Sequence, residues 1–166
     1  MNKEYEYSFE VTTTNPFIDY CINNNYELEN KYEQIRTLYK NGGQIMARIT
    51  KNIYKDNQVE VIDFKDDNLS DDNLKISRET KKLIITDENK EFVNSLLEIL
   101  ELKETKKLIR ERVIYKKNNV IFEIDEYKTP NMKVIAIEGI KEEVDDVYKK
   151  LEKIIESKRI LTIKKN

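Results

Sequence analysis

The chain of 166 residues carries 30 basic and 32 acidic side chains, which gives a formal net charge of −2 with 37% of its residues charged. This length predicts one domain over residues 1–166, and the balance of charge argues against a broadly basic surface for nucleic acid. The sequence has no histidine and one cysteine, which excludes Ser-His-Asp and Cys-His catalysis, histidine-ligated zinc and an intrachain disulfide. No segment has the apolar length of a membrane span or a signal peptide, so we expect a cytoplasmic protein.

The first predicted element is a β-strand over about residues 3–11, where polar and apolar residues alternate strictly. Successive side chains of a strand point to opposite faces, so the two kinds of residue separate. One face carries the polar set, Glu4, Glu6, Ser8 and Glu10. The aromatic and aliphatic face needs helices to cover it.

A helix is predicted next, with Asn15 at the N-cap and Pro16 at the first helical position. Phe17, Tyr20 and Cys21 then form its inner stripe. This setting predicts that Cys21 is a buried structural thiol rather than a nucleophile.

The middle of the chain predicts strands over about residues 34–40 and 44–51, joined by an Asn-Gly-Gly turn, and a further strand over 58–65. The acidic stretch 66–72 is predicted to be a solvated loop, because it lacks the glycine and terminal glutamate of an EF-hand calcium site. A short strand over 82–86 leads into a helix capped by Thr86 or Asp87.

The last third predicts strands over about 106–116 and 119–127, a turn at 129–131 and a strand over 133–139. A helix from about 141 to 158 and a short strand over 160–163 follow. Helices stand singly between groups of strands joined by short turns. This order predicts an α+β fold, with one closed or strongly curved antiparallel sheet and the helices packed outside it.

Charged residues occupy the polar faces of the later strands as well. Together these faces carry acidic residues, Glu4, Glu6, Glu10, Glu123, Asp125 and Glu138, and basic residues, Arg48, Lys65, Arg110 and Arg112. Buried charges are costly unless they pair or bind ions, so these faces indicate a wet interior that holds an anion and a divalent cation. The alternative remains that they are solvated outer faces, which are common in antiparallel sheets and pair without function.

Several segments combine into a recognisable pattern. The strand at 4–8 is similar to a Glu-x-Glu-x-Lys motif, and 110–115 is similar to a basic-x-basic strand that ends in tyrosine. Residues 120–125 and 134–139 resemble an aspartate-bearing strand and a closing Glu-x-Glu strand, while Phe64-Lys65 and 77–79 resemble middle strands. In this order the segments resemble the CYTH domain, the fold of the triphosphate tunnel metalloenzymes, over about residues 2–155.

The resemblance implies an eight-stranded antiparallel β-barrel whose tunnel binds a small-molecule triphosphate or polyphosphate and hydrolyses it with Mg²⁺ or Mn²⁺. Carried over by position, the implied metal ligands are Glu4, Glu6, Asp125 and Glu138, with Glu123 near the metal. The implied phosphate-binding residues are Arg48, Lys65, Arg78, Arg110 and Arg112. Glu6 and Arg112 are the implied catalytic residues.

Three positions depart from the family pattern. Ser8 stands where the family has lysine, Met46-Ala47-Arg48 keeps one arginine of an Arg-x-Arg pair, and Ala136 replaces the first glutamate of the closing pair. Two functions therefore stay open, a metal-dependent triphosphatase and a non-catalytic polyphosphate- or nucleotide-binding module. An adenylate cyclase is less favoured, since no adenine pocket can be read from the sequence. We expect no membrane partner, and nucleic acid only at a 5′-triphosphate end.

Overall fold

A computed structural model describes residues 2–71, 74–128, 131–157 and 161–162 of the protein. Its elements in chain order are β1 (Asn2–Val11), α1 (Asn15–Asn23), β2 (Glu27–Lys40), β3 (Ile45–Ile53), β4 (Gln58–Asp71), β5 (Leu74–Glu79), β6 (Leu83–Ile84), α2 (Lys90–Ile99), β7 (Lys103–Lys117), β8 (Val120–Tyr127), β9 (Met132–Gly139), α3 (Lys141–Ser157) and β10 (Leu161–Thr162). Within these ranges, no helix combines the length and the apolar character needed to cross a membrane.

The strands form one antiparallel sheet that returns to its own first strand. Neighbours follow the order β1-β5-β4-β3-β2-β7-β8-β9, and β9 pairs with β1 from Tyr5–Gly139 to Val11–Lys133. Strand β6 adds to β4, and β10 adds to β1. The predicted α+β class and antiparallel sheet are confirmed.

Apolar side chains cover the outer faces of this ring in two clusters. Helices α1 and α3 pack on β1, β8 and β9 through fully buried residues such as Phe9, Phe17, Phe122, Ile135 and Leu151. Helix α2 packs its Val93 and Leu97 against Ala47 and Ile62 of β3 and β4. Because strands alternate, burying these residues outside turns the polar faces toward the interior of the ring.

Strand β4 is longer than the sequence predicts. The chain stays extended through Asp71, so the loop predicted over 66–72 is wrong for residues 66–71, and residue 72 lies outside the described ranges. The reason is tertiary, because β5 lies alongside and places Arg78 opposite Asp66, with which it forms an ion pair. A loop-like composition was overridden by strand pairing.

Both predicted helix caps shift by one to three residues. Thr14 precedes α1 as its N-cap in place of Asn15, and Asn89 precedes α2 in place of Thr86 or Asp87. The Asn89 amide explains the second shift, since its oxygen accepts from the Thr86 backbone N–H at 2.8 Å and orders the turn before the helix.

Two local predictions are confirmed. Asn41 organises the hairpin turn, where its side-chain oxygen accepts from the Gly43 N–H at 2.9 Å and Gly42 adopts a φ of 86°. Cys21 is fully buried, and burial raises the pKa of its thiol to about 12. The predicted turn at Thr129-Pro130 and the predicted ends at 158, 160 and 163 lie outside the described residues.

Candidate functional site

The inward faces of the ring enclose a charged cavity of about 280 Å³. Its acidic lining residues are Glu4, Glu6, Glu79, Glu123, Asp125 and Glu138, and its basic ones are Arg36, Arg48, Lys65, Lys82, Arg110 and Arg112. A second cavity of about 300 Å³ shares Arg36, Lys82, Arg112, Glu123 and Glu138 with the first. The two cavities therefore meet at these five residues.

Three carboxylates cluster on one wall. Glu4 and Glu6 lie on β1, Glu138 is the direct neighbour of Glu6 on β9, and one oxygen from each residue lies within 4.8 Å of the others. Burial, the charge of Glu123 and the hydrogen bond with Glu4 raise the pKa of Glu138 well above its usual value. Burial also opposes ionisation of Glu4, but its hydrogen bond with Glu138 and the charge of Lys65 lower its pKa overall. Protonation is therefore favoured more strongly at Glu138 than at Glu4.

Asp125 belongs to a different group. Its two oxygens accept from Nε and Nη2 of Arg112 at 2.8 and 2.9 Å, and Arg110 Nη1 lies 3.3 Å from the carboxylate. Arg112 also pairs with Glu123. Burial disfavours the charge of Arg112, yet Glu123 and Asp125 raise its pKa well above normal. Asp125 is therefore neutralised by arginines, and the structure does not bring it into the carboxylate cluster as a metal ligand.

Arg48 and Lys65 are held by carboxylates as well. Arg48 Nε donates to Asp63 at 3.0 Å, and the guanidinium also pairs with Glu79. Lys65 Nζ lies 3.3 Å from Glu4 and 3.6 Å from Glu79. Glu79 was missed at the sequence level, because its role depends on the register that places it opposite Lys65.

Arg36 is the most informative residue that the sequence reading missed. It lines both cavities, its Nε donates to Thr50 Oγ1 at 3.1 Å, and no described carboxylate forms an ion pair with it. Burial and the positive charges of Arg110, Arg48 and Arg112 lower its pKa, although a guanidinium remains protonated at neutral pH. Gln34, Arg36 and Leu38 are two residues apart in β2 and so lie on one face of the strand. This spacing is the sequence signal that could have identified Arg36.

The structure brings most of the predicted site residues to one cavity: Glu4, Glu6, Asp125, Glu138, Arg48, Lys65, Arg110 and Arg112. Arg78 is the exception. Its side chain is 52% exposed and pairs with Asp66 away from the cavity. Strand alternation sends its neighbour Glu79 inward in its place.

Solved structures share this architecture. One protein from Pyrococcus horikoshii is 22% identical to this chain with a TM-score of 0.72, and the match covers 90% of each chain. A second protein from the same organism is 20% identical with a TM-score of 0.68, and the match covers 98% of this chain and 94% of that one. A candidate adenylyl cyclase from Hippeastrum with a dominant triphosphatase activity is 14% identical with a TM-score of 0.66, covering 98% of this chain and 92% of that one. No family model and no curated protein matches the chain. At these identities the likeness establishes the fold alone.

Proposed function

We propose that this protein is a divergent CYTH-like triphosphatase, in which the closed ring forms a tunnel and hydrolyses an inorganic or organic triphosphate with a divalent cation. The observation that carries the proposal is the charged interior, in which the carboxylate cluster and the basic lining residues face one cavity. Two cavities that share lining residues support a passage through the ring. The triphosphatase activity of the Hippeastrum protein, which has the same fold, adds support.

The carboxylate cluster fits Mg²⁺ or Mn²⁺. Both are hard cations that prefer oxygen ligands, and Glu4, Glu6 and Glu138 offer three carboxylate oxygens within 4.8 Å of one another. Burial raises the pKa of Glu138, and the negative charges of Glu123, Glu4 and Glu6 add to this effect. A bound cation would supply positive charge to a phosphate oxygen and lower the pKa of a water molecule. Because the fold favours the protonated form of Glu138, binding of a cation there should release a proton.

The basic residues bind and orient the phosphates in this proposal. Arg36 offers a guanidinium with no carboxylate partner in the described chain, and Arg110 and Arg112 line the same cavity from the neighbouring strand β7. Gln34 fixes the Arg110 guanidinium and Asp125 fixes that of Arg112. These donors therefore need little reorganisation as charge develops on the transferred phosphoryl group. Glu6 is buried beside Glu138, which places it to hold the cation next to the phosphates.

Phosphate release from tripolyphosphate and nucleoside triphosphates with Mg²⁺ or Mn²⁺ tests this function. Glu6→Gln should lower the rate at least about a hundredfold, because it removes one charge from the cation site. Glu111→Gln is the matched control, since Glu111 is exposed on β7 between the two site arginines. Absence of release by the unmodified protein with every triphosphate and both metals would contradict the hydrolase.

A non-catalytic triphosphate-binding module is the second candidate, and one observation favours it. Ser8 and Ala136 lie opposite each other on the cavity wall, at positions where the related motifs place a lysine and a glutamate. A module of this kind would gain thermal stability with triphosphate and release no phosphate, and Arg112→Ala would remove the gain. Formation of cyclic AMP from ATP would instead identify a cyclase.

A further inference from the structure

Lys82 shares an unusual property with Arg36. Of the six basic residues that line the main cavity, four form ion pairs with carboxylates: Arg48, Lys65, Arg110 and Arg112. Within the described chain, Arg36 and Lys82 form none, and these two residues line both cavities. The positive charge that is not already neutralised therefore lies where the two cavities meet.

The backbone at Lys82 is fixed on both sides. Before it, Thr80 donates its N–H to the Phe64 carbonyl and accepts the Phe64 N–H on its hydroxyl, both at 3.0 Å. After it, Ile84 pairs with Val61 in β4. The short connection from β5 to β6 is therefore held against β4 at each end, which positions the Lys82 backbone at the cavity mouth.

Apolar burial in this segment comes from Ile85, which packs against the cluster under α2 and donates its N–H to the Glu60 carbonyl at 2.8 Å. Leu83 and Ile84, the two residues of β6, are 46% and 57% exposed, so their pairing with β4 contributes little to the core. The arrangement does fix the origin of the Lys82 side chain, whose flexible stem leaves the ammonium free to reach an anion.

We propose that Lys82 is a phosphate-binding residue, whose ammonium holds the triphosphate together with the Arg36 guanidinium where the two cavities meet. This inference rests on the proposed function. When a cation already forms an ion pair, the negative charge of its carboxylate partner offsets the attraction between that cation and an anionic ligand. An unpaired cation attracts the ligand without this offset. Binding of a polyanion should therefore depend on Lys82 although the residue lies outside the barrel strands that carry the other cations.

Calorimetric titration with tripolyphosphate tests the inference on four proteins: the unmodified chain, Lys82→Ala, Lys82→Arg and Lys81→Ala. Lys81 is the matched control, because it is an exposed neighbour that lines neither cavity. Lys82 is exposed, so we expect Lys82→Ala to weaken binding by about fivefold and Lys81→Ala by less than about twofold. Lys82→Arg should keep most of the affinity, and the deficit of Lys82→Ala should shrink in about 0.5 M salt.

The outcomes separate this inference from the proposed function. If the unmodified protein binds tripolyphosphate while Lys82→Ala and Lys81→Ala behave alike, the role of Lys82 is refuted and the triphosphate site stands. If the unmodified protein does not bind tripolyphosphate, the role of Lys82 is refuted, whereas the proposed function is refuted only when no triphosphate is hydrolysed with either metal. Equal melting temperatures of all four proteins without ligand confirm that the variants compare binding and not folding.

Discussion

Replacing Arg36 with methionine should stabilise the protein and remove most of its stabilisation by triphosphate. Arg36 is mostly shielded from solvent, has no carboxylate partner among the described residues and lies near three further arginines that lower its pKa together with burial. Apolar replacement of buried ion pairs stabilises proteins by about 1–4 kcal/mol, and Arg36 lacks even the compensating partner. Loss of its hydrogen bond to Thr50 costs about 1 kcal/mol.

The expected net gain is about 1–2 kcal/mol, which corresponds to a melting temperature about 3–6 °C higher for a chain of this size. Calorimetry with and without tripolyphosphate measures both effects. A ligand at about a hundred times its Kd stabilises the unmodified protein by about 2.7 kcal/mol, and we expect Arg36→Met to lose most of this gain. Arg78→Met is the control, because Arg78 is exposed and pairs with Asp66 outside the cavity.

A less stable Arg36→Met variant that keeps the full ligand response would refute the reasoning. That result would mean that the Arg36 charge is compensated within the fold and contributes nothing to the anion site. A stabilised variant with an intact ligand response would confirm the electrostatic strain and would assign phosphate binding to other cations.

Two further predictions concern the carboxylates and the departures from the family pattern. The pKa of Glu138 is raised in the fold, so the free energy of unfolding falls as pH rises from the unfolded toward the folded pKa of this residue. Glu138→Gln should therefore have a higher melting temperature than the unmodified protein near pH 8. This difference in melting temperature should shrink near pH 5 and on addition of Mg²⁺. If this difference in melting temperature stays constant across pH, ionisation of Glu138 is not its cause. Ala136→Glu alone places a carboxylate directly opposite Glu123 and should lower stability by about 2 kcal/mol or more. Adding Ser8→Lys on the opposed strand should recover at least about 1 kcal/mol in a double-mutant cycle, and strict additivity would show that the two side chains do not meet.

Strand alternation was enough to predict much of the interior. It places Glu4, Glu6 and Glu138 on one side of their strands, and the structure brings the three together. The register shows that Arg78 lies on the opposite face of β5, because its neighbour Glu79 faces the cavity. The sequence around 77–79 contains both charges, and only the pairing of β5 with β1 and β4 determines which one points inward.

Partner assignments were beyond sequence reasoning for a physical reason. Whether a charged side chain is neutralised depends on residues far away in the chain, such as Glu79 opposite Lys65 or Asp125 opposite Arg112. The sequence predicts Asp125 as a metal ligand from its resemblance to an aspartate-bearing strand, and it gives no sign of an arginine partner. The register across β7 and β8 instead gives both of its oxygens to arginine.

Register also changes the meaning of two of the three departures from the motifs that the sequence resembles. Taken along the sequence, Ser8 and Ala136 are two independent departures, one from the proposed phosphate site and one from the proposed metal site. In the sheet they are directly opposed neighbours on β1 and β9, a distance at which a lysine and a glutamate form a cross-strand pair. Their joint absence removes one positive and one negative charge from the same place, so this pair of departures leaves the net charge of the cavity unchanged. The arginine missing from Met46-Ala47-Arg48 is a separate loss of positive charge. The cluster of Glu4, Glu6 and Glu138 and the unpaired Arg36 lie outside this pair, which is why triphosphate binding and hydrolysis remain compatible with the departures.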